Sequence, residues 1–278
     1  MYRLEGLSAA IRELVPPVVV EAFAALTTLG DPPFLVGVVA VLYWLVDDRS
    51  ATGRLVAYTL LAVAVTVTLK EGLALPRPPA GVRAVAVGPG SHGVPSGHAV
   101  GAVAVYGGLA VVFGRLRRPQ VVAVLVGLVG LIALSRVVIG VHYLGDVLAG
   151  LAVGSAVLLG LYALPRPGVA TLVAAGIALV GAFVTGGGTD AVFVLGASVG
   201  AGVAFSALDP AALPVPETVP EGGAVLVLGS LLLAGGYLVV TAAGSPAVVF
   251  GASALLVACT LVLPAVLGVA PPANPVAE

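Results

Sequence analysis

Lysine occurs once in this chain, as do cysteine, tryptophan and methionine, and histidine occurs three times. Charged residues fill only 9% of 278 positions, against roughly 25% in soluble domains, so an ordinary soluble domain is excluded. The formal net charge of −1 gives no basic field for nucleic acid. The single Cys259 excludes an intrachain disulfide and, lying in an apolar run, leaves the redox compartment unread. The opening Met1-Tyr-Arg-Leu-Glu-Gly-Leu-Ser8 lacks the basic start and apolar core of a cleaved signal peptide.

What is abundant is apolar: 60% of residues are hydrophobic and the mean hydropathy is +1.18. Membrane-length apolar runs are expected at about 34–47, 51–70, 97–114, 120–139, 145–164, 168–185, 190–208, 222–242 and 247–268. The expected fold is therefore all-α, a polytopic membrane helical bundle. Residues 5–30 mix apolar Ile11, Leu14, Val18 and Phe23 with Arg12, Glu13 and Glu21. That pattern fits an interfacial helix or a tilted, broken helix entering the membrane, and the second is the reading adopted.

The turns near 47–54, 115–119 and 164–168 carry Arg49, Arg54, Arg115, Arg117, Arg118 and Arg166, whereas the opposite face has only Arg83 outside the motifs described next. This asymmetry puts the arginine-rich face in the cytoplasm and the motif face outside. A multi-pass protein of the cell membrane, with its site on the non-cytoplasmic face, is expected. After Arg166 there is no further Lys or Arg, which places a boundary between residues 1–166 and a C-terminal set of helices at 167–278 of unknown role. Within that set Gly196-Ala-Ser-Val-Gly200 offers a small-residue face for a neighbouring helix. The tail Pro271–Glu278 reads as a frayed end.

The scarce polar residues cluster in three strings. The first runs from Lys70 to Arg77-Pro78, the second is Pro95-Ser96-Gly97-His98, and the third runs from Ser135-Arg136 through His142 to Asp146. His142 and Asp146 are four apart, which on a helix places them on one face. A carboxylate beside an imidazole fixes its tautomer, so His142 reads as a nucleophile or base oriented by Asp146; a buried polar pair tying helices is the plain alternative. Ser96 suits an N-cap and Gly97 admits close approach, so a helix start there offers free N–H groups to an anion. His98 on that first turn is placed to protonate a leaving oxygen, or is simply a histidine at the water boundary. Lys70, Arg77 and Arg136 supply positive charge of the kind that stabilises a transferring phosphoryl group. Snorkelling to headgroups would equally explain Lys70 and Arg77, but Arg136 lies late in an apolar span, where a cation costs about 2.5–3.5 kcal/mol. His92 and Arg83, in the loop 81–94, either touch a substrate headgroup or are solvated loop residues, and the second is the reading adopted.

Together the strings resemble the type 2 phosphatidic acid phosphatase superfamily, whose signature is Lys-x6-Arg-Pro, Pro-Ser-Gly-His and Ser-Arg-x5-His-x3-Asp. The resemblance covers about residues 30–165. It implies a six-helix phosphatase core and a metal-independent reaction with no cofactor; the about four additional C-terminal transmembrane helices after residue 166, read from the apolar runs, lie outside that core. It implies that His142 attacks phosphorus to form a phosphohistidine, with Asp146 orienting it and His98 serving as acid and then base. Lys70, Arg77, Ser96, Gly97 and Arg136 would hold the phosphoryl oxygens. The substrate implied is a lipid phosphate, either phosphatidic acid-like or a polyprenyl diphosphate. Two other readings stand beside it: a non-hydrolytic anion or lipid transporter or scaffold, and a vanadium-dependent haloperoxidase. Oligomeric state is not legible.

Overall fold

Prolines mark where the helices start. Pro17, Pro32, Pro119, Pro167, Pro220 and Pro246 each occupy the first or second position of a helix, where a missing N–H removes no helical bond. The computed structural model describes residues 3–88, 91–164 and 166–268, and among the described residues there is no strand. In chain order the helices are α1 (Glu5–Leu14), α2 (Pro17–Leu26), α3 (Pro32–Leu45), α4 (Arg49–Leu73), α5 (Gly97–Val112), α6 (Pro119–Val138), α7 (Leu144–Ala163), α8 (Pro167–Val184), α9 (Thr189–Ala207), α10 (Val219–Ala242) and α11 (Pro246–Leu267). The tail 271–278 lies outside the described residues.

All nine expected spans appear as helices with boundaries shifted by a few residues. Six of them, α4, α6 and α8 to α11, are long and apolar enough to cross a membrane. The protein is a multi-pass membrane protein. The other three expected spans fall short alone. α5 carries only a short apolar stretch, the described apolar stretch of α7 runs Leu144–Gly160, and α3 reaches spanning length only with the Pro17–Gly30 segment before it, across a 44° bend. Asp31, extended at φ −66° and ψ 138°, stands at that bend before Pro32-Pro33, which is where proline forbids the helix to continue. Residues 5–30 thus form the short helix α1 and then a broken segment. If the bent pair counts as one body, the chain makes six helical bodies before Arg166.

The helix that carries Lys70, α4, packs against α3, α5, α7, α8 and α9. Fully buried alanines on it, among them Ala51, Ala57 and Ala64, let these neighbours approach. The most extensive helix pairing is α9 with α11. A Cβ at Gly196 would run into Ser253 and the Phe250 carbonyl, and one at Gly200 into the Ala254 backbone. The small-residue face at 196–200 is therefore a seat for α11. Arg49, one of the orienting arginines, is only 1% exposed and donates to the carbonyls of Tyr43, Trp44 and Pro214. It staples the α3–α4 turn to the loop before α10 and does not reach toward headgroups. Trp44 Nε1 likewise donates to the Thr260 carbonyl at 3.0 Å. The C-terminal helices are bonded to α3 and α4 through such contacts.

Candidate active site

Gly140, at φ 73°, ends α6 by turning the chain back, and the Arg136 carbonyl then accepts from both Val141 N (3.1 Å) and His142 N (3.2 Å). A side chain at 140 would strike the Val82 carbonyl. His142 therefore sits in the turn between α6 and α7, outside the membrane-spanning helices. The expected shared helix face is corrected here: His142 precedes α7, and Asp146, in its first turn, folds back toward it. Asp146 Oδ2 accepts Tyr143 N at 2.9 Å and lies 3.4 Å from His142 Nδ1, an attractive distance but long for a hydrogen bond.

The other ring nitrogen settles the tautomer. His142 Nε2 is 2.8 Å from Arg77 Nη1. A guanidinium only donates, so Nε2 accepts and the ring proton sits on Nδ1, facing Asp146. Burial pushes the His142 imidazole down from the usual 6.5 to about 3; Asp146 opposes the shift, while Arg77, Lys70 and Arg136 add to it. A lowered value means that the ring stays neutral as pH falls through the ordinary histidine range.

Ser96 does occupy the N-cap position of α5, but its hydroxyl makes no capping bond and is buried without a partner. The expected side-chain cap is thus absent, while Ser96 N donates to the Asp146 carbonyl at 2.9 Å and ties the second string to the third. A Cβ at Gly97 would lie 3.5 Å from Thr66 and 3.8 Å from Lys70 Cε, filling space beside the ammonium. His98 Nε2 is 2.6 Å from Asp31 Oδ1.

Lys70, in the last turn of α4, donates from Nζ to the His92 carbonyl at 2.8 Å. Arg77 donates to Ser91 Oγ (2.9 Å) and the Val141 carbonyl (3.1 Å) besides His142. Arg136 is 6% exposed, donates to Thr27 Oγ1 at 2.7 Å, and keeps Nε buried without a partner. The two loop residues expected to be solvated are instead held in place. The His92 ring is half-buried, 3.4 Å from Glu71, and Arg83 donates to the Pro78 carbonyl at 2.7 Å.

A cavity of about 290 Å³ joins these groups, with Lys70, Arg77, Gly97, His98, Arg136 and His142 in its walls. Of the expected site residues, only Ser96 and Asp146 stand outside its lining. From the cationic end the cavity continues between α3, α4 and α5 along Leu35, Val63 and Val100. Asp190, at the start of α9, also reaches it. A larger cleft of about 690 Å³ opens elsewhere, beside Arg166 and Asp209, and has no histidine in its walls. Among the described residues no group of three or more His, Cys, Asp or Glu is placed to hold a metal ion. Sequence spacing missed Asp31, Thr27 and Asp190, which come from segments with no motif.

Residues 51–169 match the family model described as PAP2 superfamily. This region belongs to the PAP2 superfamily. The match runs from the start of α4 into the first turn of α8 and contains all three strings. No curated protein and no solved structure matches the chain. PAP2 membership supports a phosphatase-type function, acting on phosphoric esters. The segment before residue 51, which supplies Thr27 and Asp31, lies outside the PAP2 match.

Proposed function

We propose that this PAP2 protein is an integral membrane phosphatase that hydrolyses the phosphomonoester or diphosphate group of a lipid through a phosphohistidine on His142. The observation that carries this reading is the Arg77–His142 contact, which leaves the Nε2 lone pair unprotonated and aimed at a guanidinium able to grip a phosphoryl oxygen. On binding, the phosphoryl oxygens take over the donors of Arg77, Lys70 and Arg136 and satisfy the free Ser96 hydroxyl and Arg136 Nε. Nε2 then attacks phosphorus, the bond to the leaving oxygen breaks, and His98 gives that oxygen its proton. Asp146 steadies the charge that develops on the His142 ring. Water next attacks the phosphohistidine, His98 takes its proton, and inorganic phosphate leaves.

The apolar continuation of the cavity between α3, α4 and α5 supports a substrate with a hydrocarbon chain beside its phosphate. The arginine-rich turns support a cytoplasmic position for the opposite face and an external one for the site. The test is phosphate release by purified protein across phosphatidic acid, phosphatidylglycerol phosphate, a polyprenyl diphosphate and inositol phosphate, beside His142→Ala. Release that persists in chelator, is inhibited by vanadate and vanishes in His142→Ala is expected. Release that requires a divalent metal, or survives the substitution, contradicts the reading.

A further inference from the structure

Asp146 is fully buried, and a carboxylate without partners there would be strongly destabilising. Its main partner comes from a part of the chain with no motif. Arg3 Nε donates to Oδ1 at 2.7 Å and Nη2 donates to Oδ2 at 2.8 Å, a two-point fork across 143 residues of sequence. The third nitrogen, Nη1, donates to the Pro76 carbonyl at 2.6 Å, the residue before Arg77. The guanidinium carbon also stands 4.7 Å above the Tyr143 ring, next to His142. One side chain, itself 5% exposed, thus touches the segments that carry Arg77, His142 and Asp146.

The surroundings are built to admit it. A Cβ at Gly93 would run into Arg3 Nη2, and one at Gly145 would come within 2.8 Å of the Arg3 Cα. Gly145 N donates to the Arg3 carbonyl at 3.0 Å. One turn further, Ser8 Oγ accepts Leu144 N at 2.8 Å and so satisfies an open N–H at the start of α7. The segment from Arg3 to Ser8 is fastened over the turn that carries His142.

We propose that Arg3 is a positioning residue for phosphoryl transfer: by clamping both oxygens of Asp146 it fixes the carboxylate that orients His142. The proposal rests on the reading of His142 as the nucleophile. Around His142 the charged groups are Arg77 from the loop, Lys70 from α4, Arg136 from α6 and Asp146 from α7. Arg3 neutralises the only carboxylate among them. Without it more of the Asp146 charge acts on the His142 ring against Arg77, Lys70 and Arg136, and the ring takes up a proton at higher pH.

The test compares wild type, Arg3→Gln, Arg3→Lys and His142→Ala in full-length protein in detergent, with phosphatidic acid micelles as the probe substrate. A second measurement follows the His142 ring by NMR of 15N-histidine-labelled protein, which holds three histidines. For Arg3→Gln the expected results are kcat lower by about 10–100-fold, KM within about 2-fold, and ring protonation about one pH unit higher or more. Unchanged kcat, or a fall in kcat with no movement of the ring titration, overturns the proposal, because a merely structural arginine would not move that titration. If Arg3→Gln does not fold, Arg3→Lys decides: it keeps the charge but loses the fork. A kcat about 3-fold or more below wild type upholds the clamp, and a wild-type kcat overturns it. If the wild type releases no phosphate, the phosphatase reading fails, and the ring titration alone judges the clamp.

Discussion

His142 and Asp146 are sealed inside the protein, with side chains 1% and 0% exposed, and Asp146 receives donors from Arg3 and the Tyr143 backbone. His98 and Asp31 form the second histidine–carboxylate pair of the site and are built the other way. Their side chains are 14% and 42% exposed, and they meet through a single 2.6 Å contact. The contrast matches the two roles proposed. A nucleophile that forms and breaks a bond to phosphorus gains from a carboxylate that cannot move. An acid–base histidine that exchanges protons with a leaving group and water gains from access to solvent.

That contrast can be broken at either pair. Replacing His142 by Ala should lower turnover about 10³-fold or more, read as phosphate release, since it removes the proposed nucleophile. Asp146→Asn should cost about 10²–10⁴-fold in kcat, because the amide carries no charge to steady the His142 ring as it becomes cationic and offers only one oxygen to Arg3. Lys70→Arg should cost about 10-fold in kcat/KM despite keeping the charge, because a planar fork does not replace a compact ammonium beside Gly97. Asp31→Asn should have the smallest effect, about 3-fold in kcat, with a change in unfolding temperature no larger than an exposed pair worth about 0–1 kcal/mol would give. An Asp31→Asn loss as large as that of Asp146→Asn would erase the distinction between the pairs.

A pH profile sharpens the same comparison. Because burial holds His142 well below the usual 6.5, the free protein keeps this proposed nucleophile neutral through mildly acid pH. The acid limb of kcat/KM assigned to this ring should therefore fall below 6.5, and a limb at or above it counts against a sealed His142.

The sealed pair was legible in the sequence and its clamp was not. His142 and Asp146 sit four apart inside one string, so spacing exposed them, although the reason they meet is a loop folding back onto a helix start. Arg136 was legible for another reason: a cation deep in an apolar run needs a polar partner. Thr27 is that partner, 109 residues away. Asp31 and His98 are 67 residues apart and Arg3 and Asp146 are 143 apart. Such pairings are made by tertiary packing, and a short span interrupted by charges carries no periodic trace of them. The helices themselves were readable because apolar length dictates them. The bend at Asp31 was hinted at by Pro32-Pro33, but the site it builds was not.

The most direct measurement is capture of the intermediate. Wild-type protein turning over phosphatidic acid should be quenched in alkali, digested and read by mass spectrometry for a phosphorylated peptide. Phosphate is expected on His142, more weakly in Arg3→Gln and absent in His142→Ala. Steady turnover with no phosphate on His142, or with phosphate on another residue, would contradict His142 as the nucleophile.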